Sequence, residues 1–600
     1  MRVAIMTALR RLLHPVLAFA AALLAALATA PAAAAPAERS TAAEQAVYGL
    51  IVRLKSAPAH AEMDEQHAAS SGAAAALRAA EDARWQRVLG AVGLADGARV
   101  PLLRPVGRDQ QLLRFTPPLT PAEADALRAR LLAQPEVDWV ELARREQPQQ
   151  VPPSDPWFGQ QWWLHPVSGT NDNALDARKR GIAGFQSAWA RFGAPLAPSV
   201  VAVLDTGITA HPDLPAAQLL PGHDFVSSVT FANDGDGRDG DPTDPGDGVS
   251  DSDLQNPVFQ GCKVGKSSWH GTIVAGMLAA QANNGIGGAG IHWAARILPV
   301  RVAGKCGAGM EDIVDGMRWA GGLAVAGVPA NAHPARVISI SFGGSAACGQ
   351  TYQTAIDELR ATGVVVIAAA GNDWGPPTRP ANCVGVVGVV GLNRDGFKAT
   401  YSNFGGEIAN TGIATVAGDD DEGAWGSLLA DSGVFTLTNL GQAAPASPGY
   451  AWLWGTSFAV PQVAGTAAMM LALNPQLTYD QIVLGLRRSA RPHVVSPKIA
   501  ACSADNPGRC ICTAATCGAG ILDAEQALLY AQMPDSYVPP VRQPEVIDNA
   551  DLDAALALAP RDWEPRPVAT GGGGGAFDGA GGAAALLGLI AASLALRRRS

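Results

Sequence analysis

Six hundred residues exceed what one hydrophobic core organises, so two folded domains plus processing segments are expected. Forty-four Lys and Arg against 54 Asp and Glu leave a formal charge of −10, which argues against a nucleic-acid partner. The 48% hydrophobic fraction overstates the core, since much of it is alanine in runs towards both ends, and the eight cysteines form no paired CxxC zinc pattern.

The chain opens with Arg2, Arg10 and Arg11, an apolar run from Val16 to Ala28 and small residues at 30–35. Residues 1–35 therefore read as a signal peptide for export through the inner membrane. An uncleaved anchor is the alternative, although the run is shorter than the ~20 residues a span needs. Export makes disulfides the expected state of the cysteines.

Residues 38–146 form a small segment. Tyr48 to Leu54 is strand-like, Ala68 to Leu89 helical and Leu112 to Phe115 a second strand; Thr120-Pro121-Ala122-Glu123 opens a helix, and Val137 to Leu142 ends the segment as a strand. This β, α, β, α, β order suits a small α+β ferredoxin-like module. Gln147 to Asp155, rich in Gln and Pro, reads as an exposed linker open to proteolysis.

Over residues 157–532 short apolar runs alternate with helical stretches. The strand candidates are Val200–Leu204, Ile297–Val302, Val337–Phe342, Val364–Ala370 and Val384–Val390. The helix candidates are Thr272–Gln281, Met310–Leu323, Tyr352–Ala361, Ser457–Leu473 and Tyr479–Arg488. Strands apolar on both faces belong in a parallel sheet covered by helices, so the fold class is α/β, doubly wound. Residues 533–575 read as a Pro/Gly-rich linker. Residues 576–600 carry an apolar run, Ala583–Leu596, followed by Arg597-Arg598-Arg599, which fits the cytoplasmic flank of an inserted segment.

Three motifs carry chemistry. Val200 to Gly207 is an apolar strand ending in Asp205, at the sheet edge where open α/β folds bind ligands. Trp269 to Gly276 places His270 where a loop enters an apolar helix, and histidine exchanges protons near neutrality. Gly455 to Pro461 places Ser457 at a helix start, whose N–H groups can hold an oxyanion. Taken singly, each has a plainer use: a turn-capping Asp, a structural His, a serine N-cap. Together they run Asp…His…Ser, the chain order of subtilisin.

With those motifs, residues 200–214, 269–291, 336–344, 364–373, 383–392 and 453–470 resemble subtilases, the subtilisin-like serine proteases. The resemblance implies a secreted serine endopeptidase acting on polypeptides as a monomer, with Ser457 as nucleophile, His270 as general base and acid, and Asp205 orienting the imidazole. It implies Asn372 as side-chain oxyanion donor, and Ser341, Phe342, Gly343 and Gly344, faced by Ala369, as the edge on which extended peptide lies. It makes residues 38–146 an inhibitory propeptide, the chain's own intramolecular partner; an unrelated accessory domain is the rival. It likens residues 576–600 to a Gly-Gly sorting tag removed by a rhomboid-type protease, giving transient membrane association; permanent anchoring at the cell surface is the rival. Calcium is the implied cofactor, with Asp213 and Asn284 as ligands. The Asp-rich stretch 234–253 suggests a second calcium at Asp234, Asp236, Asp239 and Asp241, a solvated acidic loop being the alternative. Arg379-Pro380-Ala381 resembles the family's cis-proline segment beneath the specificity pocket, and a medium or large apolar side chain is expected there. Ile273 and Phe458 stand where the family commonly has His and Met.

Eight cysteines allow 105 pairings. The expected set is Cys262–Cys306 and Cys348–Cys383, tethering loops around the active face, with Cys502, Cys510, Cys512 and Cys517 pairing among themselves. Two rival functions stand beside the peptidase. An α/β-hydrolase esterase would need Gly-x-Ser-x-Gly, which Thr456-Ser457-Phe458-Ala459 does not supply. A catalytically inactive subtilase used for binding or adhesion would normally lack a triad member or Asn372.

Overall fold

The computed structural model describes residues 47–55, 71–94, 101–106, 110–143, 152–169, 178–419 and 431–558. The segments read as signal peptide and sorting tag lie outside the described residues, as does Gln147–Val151 of the linker. The chain divides into two compact units, 1–146 and 147–600.

In the first unit, β1 (Val47–Leu54), α1 (Ser71–Ala91), β2 (Leu102–Val106), β3 (Gln110–Leu119), α2 (Pro121–Leu132) and β4 (Val137–Ala143) follow in order. The sheet is antiparallel with order β2-β3-β1-β4, a βαββαβ ferredoxin-like arrangement. Val47, Leu50, Val52, Trp85, Leu113 and Leu131 are buried in its core. The α2 start is a reciprocal capping box: Thr120 N–H donates to Glu123 at 2.8 Å, and Glu123 N–H donates to Thr120 Oγ1 at 3.3 Å. The sequence reading placed a single strand between the helices. The structure has a hairpin there, because β2 is an exposed edge strand that carries Pro105 and needs no buried alternation.

The second unit is built on α3 (Phe185–Phe192), β5 (Val200–Asp205), β6 (His223–Asp224), α4 (His270–Ala279), β7 (Arg296–Arg301), α5 (Met310–Ala320), β8 (Val337–Ile340), α6 (Gln350–Ala361), β9 (Val365–Ala369), β10 (Val387–Leu392) and β11 (Ile413–Val416). Seven parallel strands lie in the order β11-β10-β9-β8-β5-β7-β6. Alternate residues of β5 go to opposite faces. Val201 and Val203 pack with α4 residues Ile273 and Val274, while Ala202 and Leu204 pack with α5 and α6 residues Met317 and Ile356. A hairpin, β12 (Val434–Asn439) and β13 (Pro448–Leu453), precedes α7 (Val460–Leu473), α8 (Tyr479–Ser489) and α9 (Ala524–Gln532). Thr456–Leu473 is long and apolar enough to cross a membrane, but 89% of it is buried inside this unit, where it serves as the central helix. The chain leaves β5 towards β7 on one side and returns to β8 on the other, so the crevice at the carboxyl ends of β5 and β8 is the topological switch point.

The disulfides are Cys262–Cys306, Cys348–Cys383, Cys502–Cys510 and Cys512–Cys517. Two linker expectations are corrected. Asp155 is buried and accepts the N–H groups of Asn283, Asn284 and Gly285 at 2.6, 3.0 and 3.3 Å, so the second unit begins before Trp157. Residues 533–558 are packed rather than free: Arg542 pairs with Asp523 and Arg180 with Glu545, Ile547 and Leu552 are buried, and a short helix α10 (Ala550–Leu558) follows.

Candidate active site

Asp205 is the last residue of β5 and is buried. His270 opens α4, and its Nδ1 lies 2.8 and 3.0 Å from the two Asp205 oxygens. A backbone contact sets this approach: a Cβ on Gly271 would fall 2.2 Å from the Gly207 carbonyl oxygen and 3.1 Å from Asp205 Cβ. Burial works to lower the His270 pKa, but the Asp205 carboxylate, helped by Asp247 and Asp244, outweighs it and holds the imidazole above its ordinary value. The rings of Phe342 and Phe458 lean on His270 at centroid distances of 5.4 and 5.8 Å.

Ser457 lies in a short helical turn, Thr456–Phe458, entered through Gly455 at φ 141°. That φ belongs to glycine alone, and it turns β13 sharply into the nucleophile. Ser457 Oγ donates to the Ser341 carbonyl at 3.1 Å, and Ser341 Oγ donates to the Ser457 carbonyl at 3.0 Å. The serine and the end of β8 are thus tied reciprocally. Asn372 follows β9, and its Oδ1 accepts Thr456 N–H at 2.9 Å and Thr456 Oγ1 at 2.8 Å. With the oxygen occupied, the amide nitrogen is the end of Asn372 left to face a ligand. Thr456 escaped the sequence reading, although it sits inside the Gly-Thr-Ser motif.

The proposed substrate edge is formed from Ser341 to Gly344, with Gly344 paired antiparallel to Arg379 through bonds of 3.0 and 3.1 Å. Gly343 lies against Thr378, where a Cβ would fall 2.2 Å from Thr378 Oγ1, so the close packing requires glycine. Ala369 is buried at the end of β9. The Arg379–Pro380 peptide is cis.

The candidate metal ligands separate into two groups. Among the described residues, no three carboxylates of the 234–253 loop lie within 4.8 Å of one another. Asp234 meets the Arg301 guanidinium, which also reaches Asp224; Asp241 accepts Thr243 N–H and Oγ1, and Asp239 accepts Asp241 N–H. Asp236 donates its N–H to Asp234. The carboxylates of Asp234, Asp239 and Asp241 thus serve an arginine and loop turns. Asp213 and Asn284 are brought together: Asn284 Nδ2 donates to Asp213 Oδ1 at 2.8 Å and Gly288 N–H to Oδ2 at 3.1 Å. Burial pushes the Asp213 carboxyl up to about 6, against those hydrogen bonds and with Asp155 adding to the rise. Asp155 acts on Asp213 as a second negative charge and accepts the Asn284 N–H at 3.0 Å, and a cation would offset the cost of the buried Asp213 charge. Asn284 would have to turn its carbonyl oxygen inwards to join such a site.

Comparison with known proteins matches residues 198–508 to the description "Subtilase family". The chain is 38% identical over 424 residues to an "Extracellular protease" of Xanthomonas campestris pv. campestris, covering 70% of this chain and 64% of that one. It is 35% identical to an "Extracellular basic protease" of Dichelobacter nodosus over 59% of this chain and 53% of that one, so it spans about half to two thirds of these relatives. It is 31% identical to "Subtilisin Savinase" of Lederbergia lenta over 48% of this chain and 82% of that one. Among solved structures, a protease of Pseudoalteromonas arctica superposes with a TM-score of 0.51 at 39% identity, covering 64% of this chain and all of the other.

Proposed function

Because the chain belongs to the subtilase family, we propose that it is an exported serine endopeptidase that cleaves extracellular polypeptides through an acyl-enzyme. The observation that carries this reading is the buried Asp205–His270 pair, 2.8 Å apart at the sheet edge, with the ring of Phe458, the residue after Ser457, 5.8 Å from the imidazole. In the first step Ser457 Oγ leaves the Ser341 carbonyl, gives its proton to His270 Nε2 and bonds the scissile carbon. Asp205 keeps the Nδ1 proton in place and balances the imidazolium. The carbonyl oxygen becomes an oxyanion between the Ser457 N–H and Asn372 Nδ2. Collapse breaks the C–N bond as His270 returns the proton to the leaving amine. Water, deprotonated by the same imidazole, then releases the acid and restores Ser457. Extended peptide would add to the edge at Ser341–Gly344 by main-chain bonding.

Residues 38–146 are proposed as an inhibitory propeptide, cut away near 147–151, and residues 576–600 as a removable sorting segment. Calcium, if bound, is assigned to Asp213 and Asn284, where it would lend stability and take no part in the chemistry. Labelling by a fluorophosphonate and release of peptides from casein, both lost in Ser457→Ala, test the central reading. A chain that is neither labelled nor hydrolytic would overturn it.

A further inference from the structure

The acidic loop ends against the Asp205–His270 pair. Asp244 is buried. Its Oδ2 accepts Thr206 Oγ1 at 2.6 Å and its Oδ1 accepts Gly246 N–H at 2.8 Å. The same Thr206 hydroxyl accepts the Gly271 N–H at 3.1 Å, and Thr206 N–H donates to Asp205 Oδ1 at 2.9 Å. By taking the hydroxyl proton, Asp244 leaves the Thr206 lone pair for Gly271. One side chain thereby joins the residue after Asp205 to the residue after His270.

Asp247 makes a second clamp on the other side of the histidine. Its two oxygens accept Ser268 N–H and Oγ, each at 2.6 Å, and Ser268 Oγ accepts the His270 N–H at 3.3 Å. Between them Trp269 is held at φ 54°, a left-handed conformation that a bulky side chain resists. Its indole N–H donates to the Gly441 carbonyl at 2.8 Å. The α4 entry is therefore a strained turn kept in place by the Asp247–Ser268 contact and the buried indole.

We propose that Asp244 and Asp247 are positioning residues for the Asp205–His270 couple, locking the turns after the acid and before the base and adding negative charge that favours the imidazolium. This rests on the peptidase reading of the same site. The charged groups acting on His270 are Asp205, Asp247 and Asp244, while Asp244 itself feels Asp247 and Arg301; the rings of Phe342 and Phe458 close the remaining sides without charge. Burial, with Asp247, pushes Asp244 up to about 7, so its charge develops as pH passes neutrality.

The test uses the full chain after processing, with active sites counted by fluorophosphonate and a chromogenic peptide followed across pH. Asp247→Asn and Asp244→Asn keep the side-chain shape and remove the charge. We expect kcat per labelled site to fall on the order of tenfold with KM nearly unchanged, the scale of lost outer-shell support for a working histidine. In Asp247→Asn the acid limb of kcat/KM should move to lower pH, because a lost anion lowers the His270 pKa, by less than a contacting charge would. In Asp244→Asn, whose wild-type carboxyl is largely protonated on that limb, the change should be in kcat. Ser268→Ala cuts one clamp and keeps both charges, so kcat should fall with the limb in place; Asp247→Glu should retain the wild-type limb. If the Asn variants do not fold, these last two carry the test. Wild-type kcat and an unmoved limb in the folded charge-removing variants, or wild-type kcat in Ser268→Ala, would make the loop a bystander. A wild-type chain without labelling or cleavage would instead overturn the peptidase reading, and this proposal with it.

Discussion

Thr456→Val isolates the anchoring of the oxyanion donor from the donor itself. In the structure Asn372 Oδ1 is held twice, by Thr456 N–H at 2.9 Å and Thr456 Oγ1 at 2.8 Å, and the same hydroxyl accepts Gly371 N–H at 3.2 Å. Valine keeps the shape and the backbone bond and removes the other two. One lost neutral hydrogen bond on Asn372 weakens its aligned conformer by about 0.5–1.5 kcal/mol, so kcat should fall about 2- to 12-fold. The Gly371 N–H, left without its acceptor, adds a stability cost of about 1–3 kcal/mol. Removing the donor outright in Asn372→Ala should cost about 10²–10³ in kcat, the loss already known for this donor in subtilisin. Because the threonine acts through the amide, the double variant should be no slower than Asn372→Ala alone, a non-additivity that independent effects would not show. The assay is kcat and KM on a chromogenic peptide for the four members of the cycle, with labelled sites as the denominator. Additive losses in the cycle, or an unchanged kcat in Thr456→Val, would refute the anchoring argument.

Three further outcomes are expected. Asp213 has a folded-state pKa of about 6, above the ordinary 3.8, so its contribution to stability is present below about pH 4 and lost as pH rises through 6. In EDTA, Asp213→Asn should therefore gain up to about 3 kcal/mol on wild type between pH 4 and 8; millimolar calcium should raise the Tm of wild type alone, and equal calcium shifts in both would move the cation elsewhere. Phe458 offers peroxide no sulfur beside His270, so activity should survive mild oxidation in wild type and be lost in Phe458→Met; prompt loss in wild type would contradict this. Lys398 is fully buried, with its ammonium donating to the carbonyls of Ala399, Thr400 and Ser402 at 2.8, 3.1 and 2.7 Å. Lys398→Met should cost about 3–5 kcal/mol in urea unfolding, and a loss below 1 kcal/mol would show those carbonyls find other partners.

The parallel sheet was legible because β5, β7, β8 and β9 are apolar on both faces, a pattern only a helix-covered strand satisfies. The Asp205, His270 and Ser457 motifs were legible because each sits at an element boundary that the sequence punctuates with glycine. What escaped was long-range. Nothing local in residues 533–558 announces that Arg542 will find Asp523 or that Glu545 will find Arg180, so proline content alone suggested a free linker. The acidic loop is hard to read for a related reason. A row of carboxylates looks alike in sequence whether it meets a cation, an arginine such as Arg301, or the hydroxyls of Thr206 and Ser268. The last four cysteines were confined to a set, and only the folded backbone chose Cys502–Cys510 and Cys512–Cys517.

The close passage of Gly271 across Gly207 has a practical side. Since no atom can be added there without displacing main chain, the closest approach of acid and base is set by two peptide planes, and the surrounding side chains can only hold or loosen it. One methyl group at position 271 should pry the pair apart while every reactive group stays in the molecule. Such a variant would be a silent twin of the wild-type chain, with its hydroxyl, imidazole and carboxylate intact, able to keep a bound polypeptide whole long enough to be seen.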